Sequence, residues 1–137
     1  MVIPNFINAA LEGKKLNIYG DGTQTRCFCH VLDVVDALSD LMKDKRNEGE
    51  VFNVGSTDEI SISNLADHII NITNSRSKTD IMSYETVYPD GGFEDMLRRV
   101  PSIEKINNAI GWSPSKSLDE IIISIIKSKK TIKNDDQ

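Results

Sequence analysis

The chain has 137 residues, which suits one domain with a modest core. Hydrophobic residues make up 39% and charged residues 27%, an ordinary globular balance. It excludes a disordered acidic tail, a collagen-like chain and a disulfide scaffold. The net charge of −5 argues against general nucleic-acid binding, which depends on neutralising phosphates. It leaves room for a small anionic ligand held by one or two arginines. The longest apolar run, Ile121 to Ile126, includes Ser124 and falls far short of a bilayer span, so no membrane partner is expected. No charged N-terminal region precedes a long apolar stretch, and Cys occurs only twice, so a cytoplasmic, reducing setting is expected.

The elements alternate. Ile3, Phe6, Ile7, Ala10 and Leu11 share one helical face, with Gly13 as the stop. Lys15 to Tyr19 reads as a strand, Gly20-Asp21-Gly22-Thr23 as a turn and Arg26 to Val31 as a second strand. Asp33 is expected to start a helix carrying Val34, Val35, Leu38, Leu41 and Met42 inward. Lys43 to Glu50 is a charged loop, and Glu50 to Val54 reads as a strand buried on both faces of a parallel sheet. Ser61 or Ser63 can cap the next helix, with Leu65, Ala66, Ile69 and Ile70 inward. Thr79 to Tyr84 reads as a strand and Tyr88 to Asp95 as irregular. Pro101-Ser102 opens a short helix that Gly111 stops. Ser117 and Glu120 fit a capping box for a last helix to about Lys130, with 127–137 a frayed tail.

Several catalytic patterns are absent. No Gly-x-Gly-x-x-Gly loop opens a helix, no Tyr-x-x-x-Lys pair occurs, and there is no Ser nucleophile elbow or His-Glu-x-x-His. Cys27 and Cys29 on a strand point to one face and His30 to the other, so they do not converge on a metal; two reduced core thiols are the simpler reading. His68, beside Asp67 in a helix, reads as a surface residue. Arg26 follows a glycine turn and enters an apolar strand, where packing has no need of a cation; a salt bridge is the competing explanation. Arg98 and Arg99 lie beside Glu94 and Asp95, where a solvated charge cluster is the simpler reading. Two arginines from separate loops can also clamp a diphosphate bidentately. Tyr19, at a strand end, can stack on a planar base or simply pack.

Three segments then carry a resemblance. They are Phe6-Ile7-Asn8-Ala9-Ala10-Leu11-Glu12-Gly13, Leu16-Asn17-Ile18-Tyr19-Gly20-Asp21-Gly22-Thr23-Gln24-Thr25-Arg26 and Val31-Leu32-Asp33-Val34-Val35. With Phe52-Asn53-Val54-Gly55, Arg98-Arg99-Val100-Pro101-Ser102-Ile103 and Ile110-Gly111-Trp112-Ser113-Pro114, they resemble the extended short-chain dehydrogenase/reductases. The nearest branch is the NAD-dependent nucleotide-sugar epimerases, dehydratases and decarboxylases, with UDP-glucuronate decarboxylase and UDP-glucose 4-epimerase types looking closest. The resemblance runs from about residue 2 to residue 126 and covers only the C-terminal part of that family.

The resemblance implies an α/β fold, the C-terminal portion of an extended Rossmann-type enzyme of mixed short strands and helices, without its N-terminal Rossmann half. Residues 1–126 would form a partial substrate-binding domain with one late Rossmann strand. By position, Tyr19 matches a residue near the nucleotide base, Gln24 and Arg26 the loop approaching the nucleotide and its diphosphate, and Arg99 a second diphosphate contact. Asp95 matches an acidic residue near the ribose, and Asp33 a structural Asp opening a helix. His30 stands in place of the usual Tyr, Ser102 in place of Asp, and Met96 where one branch has Pro.

The implied ligand is a UDP- or dTDP-sugar. NAD is the cofactor of the complete family, and none is expected to bind this chain alone. Turnover by this chain alone is not expected. The competing reading is a split-gene or degenerate, non-catalytic nucleotide-sugar-binding or assembly module. Either reading leaves the Glu50–Val54 strand uncovered, so docking on a Rossmann-half partner or self-association is expected.

Overall fold

This computed structural model describes residues 1–89 and 95–135, with side chains through 129. The elements in chain order are α1 (Val2–Leu11), β1 (Leu16–Tyr19), β2 (Thr25–Cys27), α2 (Val31–Leu41), β3 (Glu59–Ser61) and α3 (Ile62–Thr73). They continue with β4 (Thr79–Met82), α4 (Tyr84–Val87), β5 (Arg98–Arg99), α5 (Glu104–Ile110) and α6 (Leu118–Asp135). Two small sheets result. β1 pairs with β4 in parallel, Leu16 opposite Thr79 and Tyr19 opposite Met82. The second has the order β3-β2-β5, antiparallel between β2 and β3 and parallel between β2 and β5.

The main core lies where α1, α3 and α6 meet β1. Ile3, Phe6, Ile7 and Ala10 of α1 pack with Leu16 and Ile18 of β1, with Leu65, Ala66 and Ile69 of α3, and with Ile121 and Ile122 of α6. Spacings of three and four bring each helix's set to one face, and alternation does the same for β1. Leu11, expected on that face, is exposed instead. At the rim of this core, His68 Nε2 lies 2.6 Å from Asp119 Oδ1 and ties α3 to α6. A second cluster gathers Ala37, Ile106 and Trp112, with Phe52, Val54 and Ile110 against it.

α2 departs from the sequence expectation in two ways. Its N-cap is His30, whose Nδ1 accepts from the Leu32 N–H at 3.1 Å, so the helix starts before Asp33. Asp33 sits in the first turn. Its buried carboxylate accepts from Ser115 Oγ (2.7 Å) and the Lys116 N–H (3.1 Å), and its carbonyl accepts from Trp112 Nε1 (3.1 Å). This anchor sets the helix's rotation: Asp33 and Ala37 face inward, whereas Val35, Leu38 and Met42, expected inward, are exposed with Val31 and Leu32. Burial pushes the Asp33 carboxyl up, but the hydrogen bonds from Ser115 and Lys116 outweigh it and hold the group below the ordinary carboxylate value.

Other boundaries also move. The expected Glu50–Val54 strand forms no ladder with any described residue: Val51 is 81% exposed, while Phe52 and Val54 pack on the second cluster. A strand exists only through a partner's backbone, and none stands beside this segment among the described residues. The second strand ends at Cys27, short of the expected Val31, because the chain turns into the His30 cap. β4 ends at Met82, and Ser83 caps α4 through the Thr86 N–H. α5 starts at Glu104 after Ile103, with no side-chain cap, so Ser102 does not serve as one. Ser61 caps α3, Gly111 ends α5, and the Ser117–Glu120 capping box forms in both directions (3.3 and 2.9 Å). α6 runs on to Asp135, past the expected end at Lys130. Residues 90–94 of the irregular stretch lie outside the described residues.

Candidate functional site

The site begins at the turn after β1. Asp21 Oδ1 accepts from the Thr23 N–H (2.9 Å) and Thr23 Oγ1 (2.7 Å), which closes the turn locally. Gly22 has φ +77°, and a Cβ there would sit 2.0 Å from Ser63 Oγ. The Ser63 side chain fills that space, and the α3 backbone adds two bonds: the Ser63 N–H donates to the Gly22 carbonyl and the Ile62 N–H to that of Gln24, both at 3.0 Å. The turn is thereby pinned to the start of α3, and Gln24 is 6% exposed. Its Nε2 donates to the Tyr19 carbonyl at 2.7 Å and to the Tyr84 hydroxyl at 3.3 Å.

Two cavities meet at Arg26. The first, of about 430 Å³, is lined by Phe6, Tyr19, Gln24, Ile62, Tyr84 and Arg26, among others. The second, of about 940 Å³, includes Arg26, Arg99, His30, Asn53, Val54 and Ser124. β2 and β5 place Arg26 directly opposite Arg99. Paired positions of neighbouring strands share a face, so the Arg26 and Arg99 side chains leave the sheet on the same side. Thr25 and Arg98 take the opposite face, where both bond the Glu59 carboxylate and hold it below its ordinary pKa, the Thr25 hydrogen bond most strongly.

Arg26 is engaged within the protein. Nη1 donates to the carbonyls of Thr25 (2.6 Å) and Met96 (2.7 Å), and Nη2 pairs with Asp95 Oδ1. Asp95 also accepts from the Tyr84 hydroxyl at 3.1 Å. Burial pushes the Tyr84 phenol up, and the bond to Asp95 adds to this, so it stays protonated and able to donate. The Arg99 side chain is exposed and makes no hydrogen bond or ion pair with another described residue.

The structure therefore gathers Tyr19, Gln24, Arg26 and Asp95 at the first cavity and sets Arg99 beside Arg26 at the second. The salt bridge weighed for Arg26 forms, with Asp95 as partner. Tyr84 was not singled out from sequence: it reads as the end of a strand, and no local pattern signals that its hydroxyl joins Gln24 to Asp95. Among the described residues, no three His, Cys, Asp or Glu side chains are placed to share a metal ion. Cys27 and Cys29 are free thiols, and Cys29 packs against the second cluster.

This arrangement of short strands and helices is the fold of the matching region in extended short-chain dehydrogenases of the NAD-dependent nucleotide-sugar epimerase and dehydratase class. The sequence profile of the GDP-mannose 4,6 dehydratase family matches residues 1–125, and the chain belongs to that family. It is 42% identical over 134 residues to UDP-N-acetyl-alpha-D-glucosaminuronate decarboxylase of Bacillus cytotoxicus, covering 98% of this chain and 41% of that protein. UDP-glucuronic acid decarboxylase 3 of Arabidopsis thaliana is 34% identical over 119 residues, covering 87% and 32%. Among solved structures, UDP-glucuronic acid 4-epimerase from Bacillus cereus, in complex with UDP-glucuronic acid and NAD, superposes with a TM-score of 0.83 at 25% identity, covering 96% of this chain and 40% of that one. The chain spans about two-fifths of the length of the Bacillus cytotoxicus relative and about a third of the Arabidopsis one. No described helix is long and apolar enough to cross a membrane.

Proposed function

We propose that this chain is the nucleotide-sugar-binding portion of an NAD-dependent sugar epimerase, dehydratase or decarboxylase, and that Arg26 and Arg99 receive the diphosphate. The observation that carries this is their direct pairing across β2 and β5 where two cavities meet. The first cavity takes the nucleoside, with Tyr19 beside the base and Gln24 holding the Tyr19 backbone in place. The diphosphate follows at the arginines, and the sugar continues toward the second cavity. Each charge-assisted contact contributes about 1.5–3 kcal/mol, binding energy spent far from the reacting carbon. Asp95 is the internal counter-ion of Arg26 and lines the same cavity, where its position also suits the ribose.

NAD is the implied cofactor, and the described residues do not fit it. The only Gly-x-Gly turn after a strand leads into β2 and not into a helix, and Ser63 occupies the space beside Gly22 that a pyrophosphate would need. The chain alone is therefore inactive: mixed with NAD and a UDP-sugar it yields no NADH absorbance. The second reading, an assembly module that docks on a separate Rossmann half, draws on the exposed apolar face of α2, where Val31 is 67% exposed beside Leu32, Val35 and Leu38. Two-dimensional amide spectra with added UDP test the main proposal. Shifts at Tyr19, Gln24 and Arg26 are expected; a folded chain whose spectrum ignores UDP overturns it.

A further inference from the structure

We propose that Tyr84 is a positioning residue, which through Asp95 holds the Arg26 guanidinium in a ligand-ready orientation. The proposal rests on the diphosphate reading of Arg26 for its consequence, though not for its geometry. A carboxylate paired with an arginine turns easily about its last torsion. Here one Asp95 oxygen accepts from Tyr84, so the other is aimed at Arg26 Nη2. The Tyr84 hydroxyl is itself fixed, since it accepts from Gln24 Nε2 while donating to Asp95. Gln24 is buried and tied to the Tyr19 carbonyl. An unbroken line of hydrogen bonds thus runs from the β1 backbone through Gln24, Tyr84 and Asp95 to Arg26.

The ring is held as firmly as the hydroxyl. Ser83 caps α4 and fixes the backbone that carries Tyr84. Gly20 lies under the ring, close enough that a Cβ there would sit 2.6 Å from Tyr84 Cε2. With Nη1 on the Thr25 and Met96 carbonyls and one Nη2 hydrogen on Asp95, Arg26 keeps its Nε–H and its second Nη2–H without a described protein partner. Those are the donors an anionic ligand would meet, and they face one direction only while Asp95 stays put.

Tyr84→Phe tests this, because it keeps the ring on Gly20 and deletes only the hydroxyl. The readouts are the Arg26 Nε–Hε NMR resonance of the free chain, assigned by its loss in Arg26→Lys, and UDP affinity by calorimetry. The expected result is a folded variant whose Arg26 resonance shifts or broadens, with UDP binding weakened about three- to tenfold. An unchanged resonance overturns the proposal, whatever the affinity. If the wild-type chain does not bind UDP, the nucleotide reading fails, and the resonance alone still decides whether Tyr84 orders Arg26. If Tyr84→Phe does not fold, Gln24→Met supplies the comparison, since it removes the amide that fixes the Tyr84 hydroxyl and leaves Asp95 in place: a moved Arg26 resonance supports the line of bonds, and an unmoved one overturns it.

Discussion

Asp33→Ala removes the carboxylate that ties α2 to the 115–116 turn. Two hydrogen bonds to a charged acceptor are worth about 3–6 kcal/mol together if both donors are then stranded. They are not stranded here: Ser115 and Lys116 are exposed and recover water once the carboxylate is gone. The expected loss is therefore about 2 kcal/mol, near the worth of one such bond. With an unfolding entropy of about 2 cal/mol/K per residue, a chain of this length melts about 7 °C lower. The pH dependence has a definite sign. The folded-state pKa of Asp33 is depressed, so its stabilisation is fully present above the unfolded value near 3.8 and fades as pH falls through the lower folded value. Circular-dichroism melts at neutral pH and near pH 3 check both points. A loss of less than about 2 °C at neutral pH, or a gap that fails to narrow in acid, refutes the reasoning.

Other substitutions probe the turn, the core and the cap. Gly22→Ala forces a Cβ against Ser63 at positive φ and is expected to lower stability by about 2 kcal/mol in urea titration. Leu65→Ala, at a fully buried site between α1 and β1, costs about 2–5 kcal/mol by the same measurement. His30→Ala removes the N-cap acceptor of α2 and costs about 1 kcal/mol, whereas His30→Asn retains an acceptor and loses less.

Much of the fold is legible in the sequence because local rules decide it. The α1 and α3 stripes, the Ser61 cap, the Gly111 stop and the Ser117–Glu120 box depend on residues within a few positions of one another. β1 is equally local, since a short alternating run needs only one buried face. The failures are non-local. The rotation of α2 is set by Asp33 reaching Ser115 and Lys116, far along the chain, and no helical wheel contains that contact. Glu50 to Val54 has the composition of a strand, but pairing belongs to two segments, and composition reports on one. The site divides in the same way. Arg26 and Arg99 stand out from their local setting and from the resemblance, but their adjacency needs the register of β2 on β5. Tyr84 left no local trace because its role is a hydrogen bond to Gln24 across the fold.

The central claim is that two arginines on neighbouring strands hold a diphosphate. Calorimetry with UDP and with uridine, on the wild-type chain and on Arg26→Ala and Arg99→Ala, tests it most directly. The account predicts that UDP binds the wild-type chain more tightly than uridine does, and that each substitution weakens UDP by about tenfold or more while leaving uridine nearly unchanged. Equal affinity for UDP and uridine in the wild-type chain, or UDP binding indifferent to both substitutions, would contradict it.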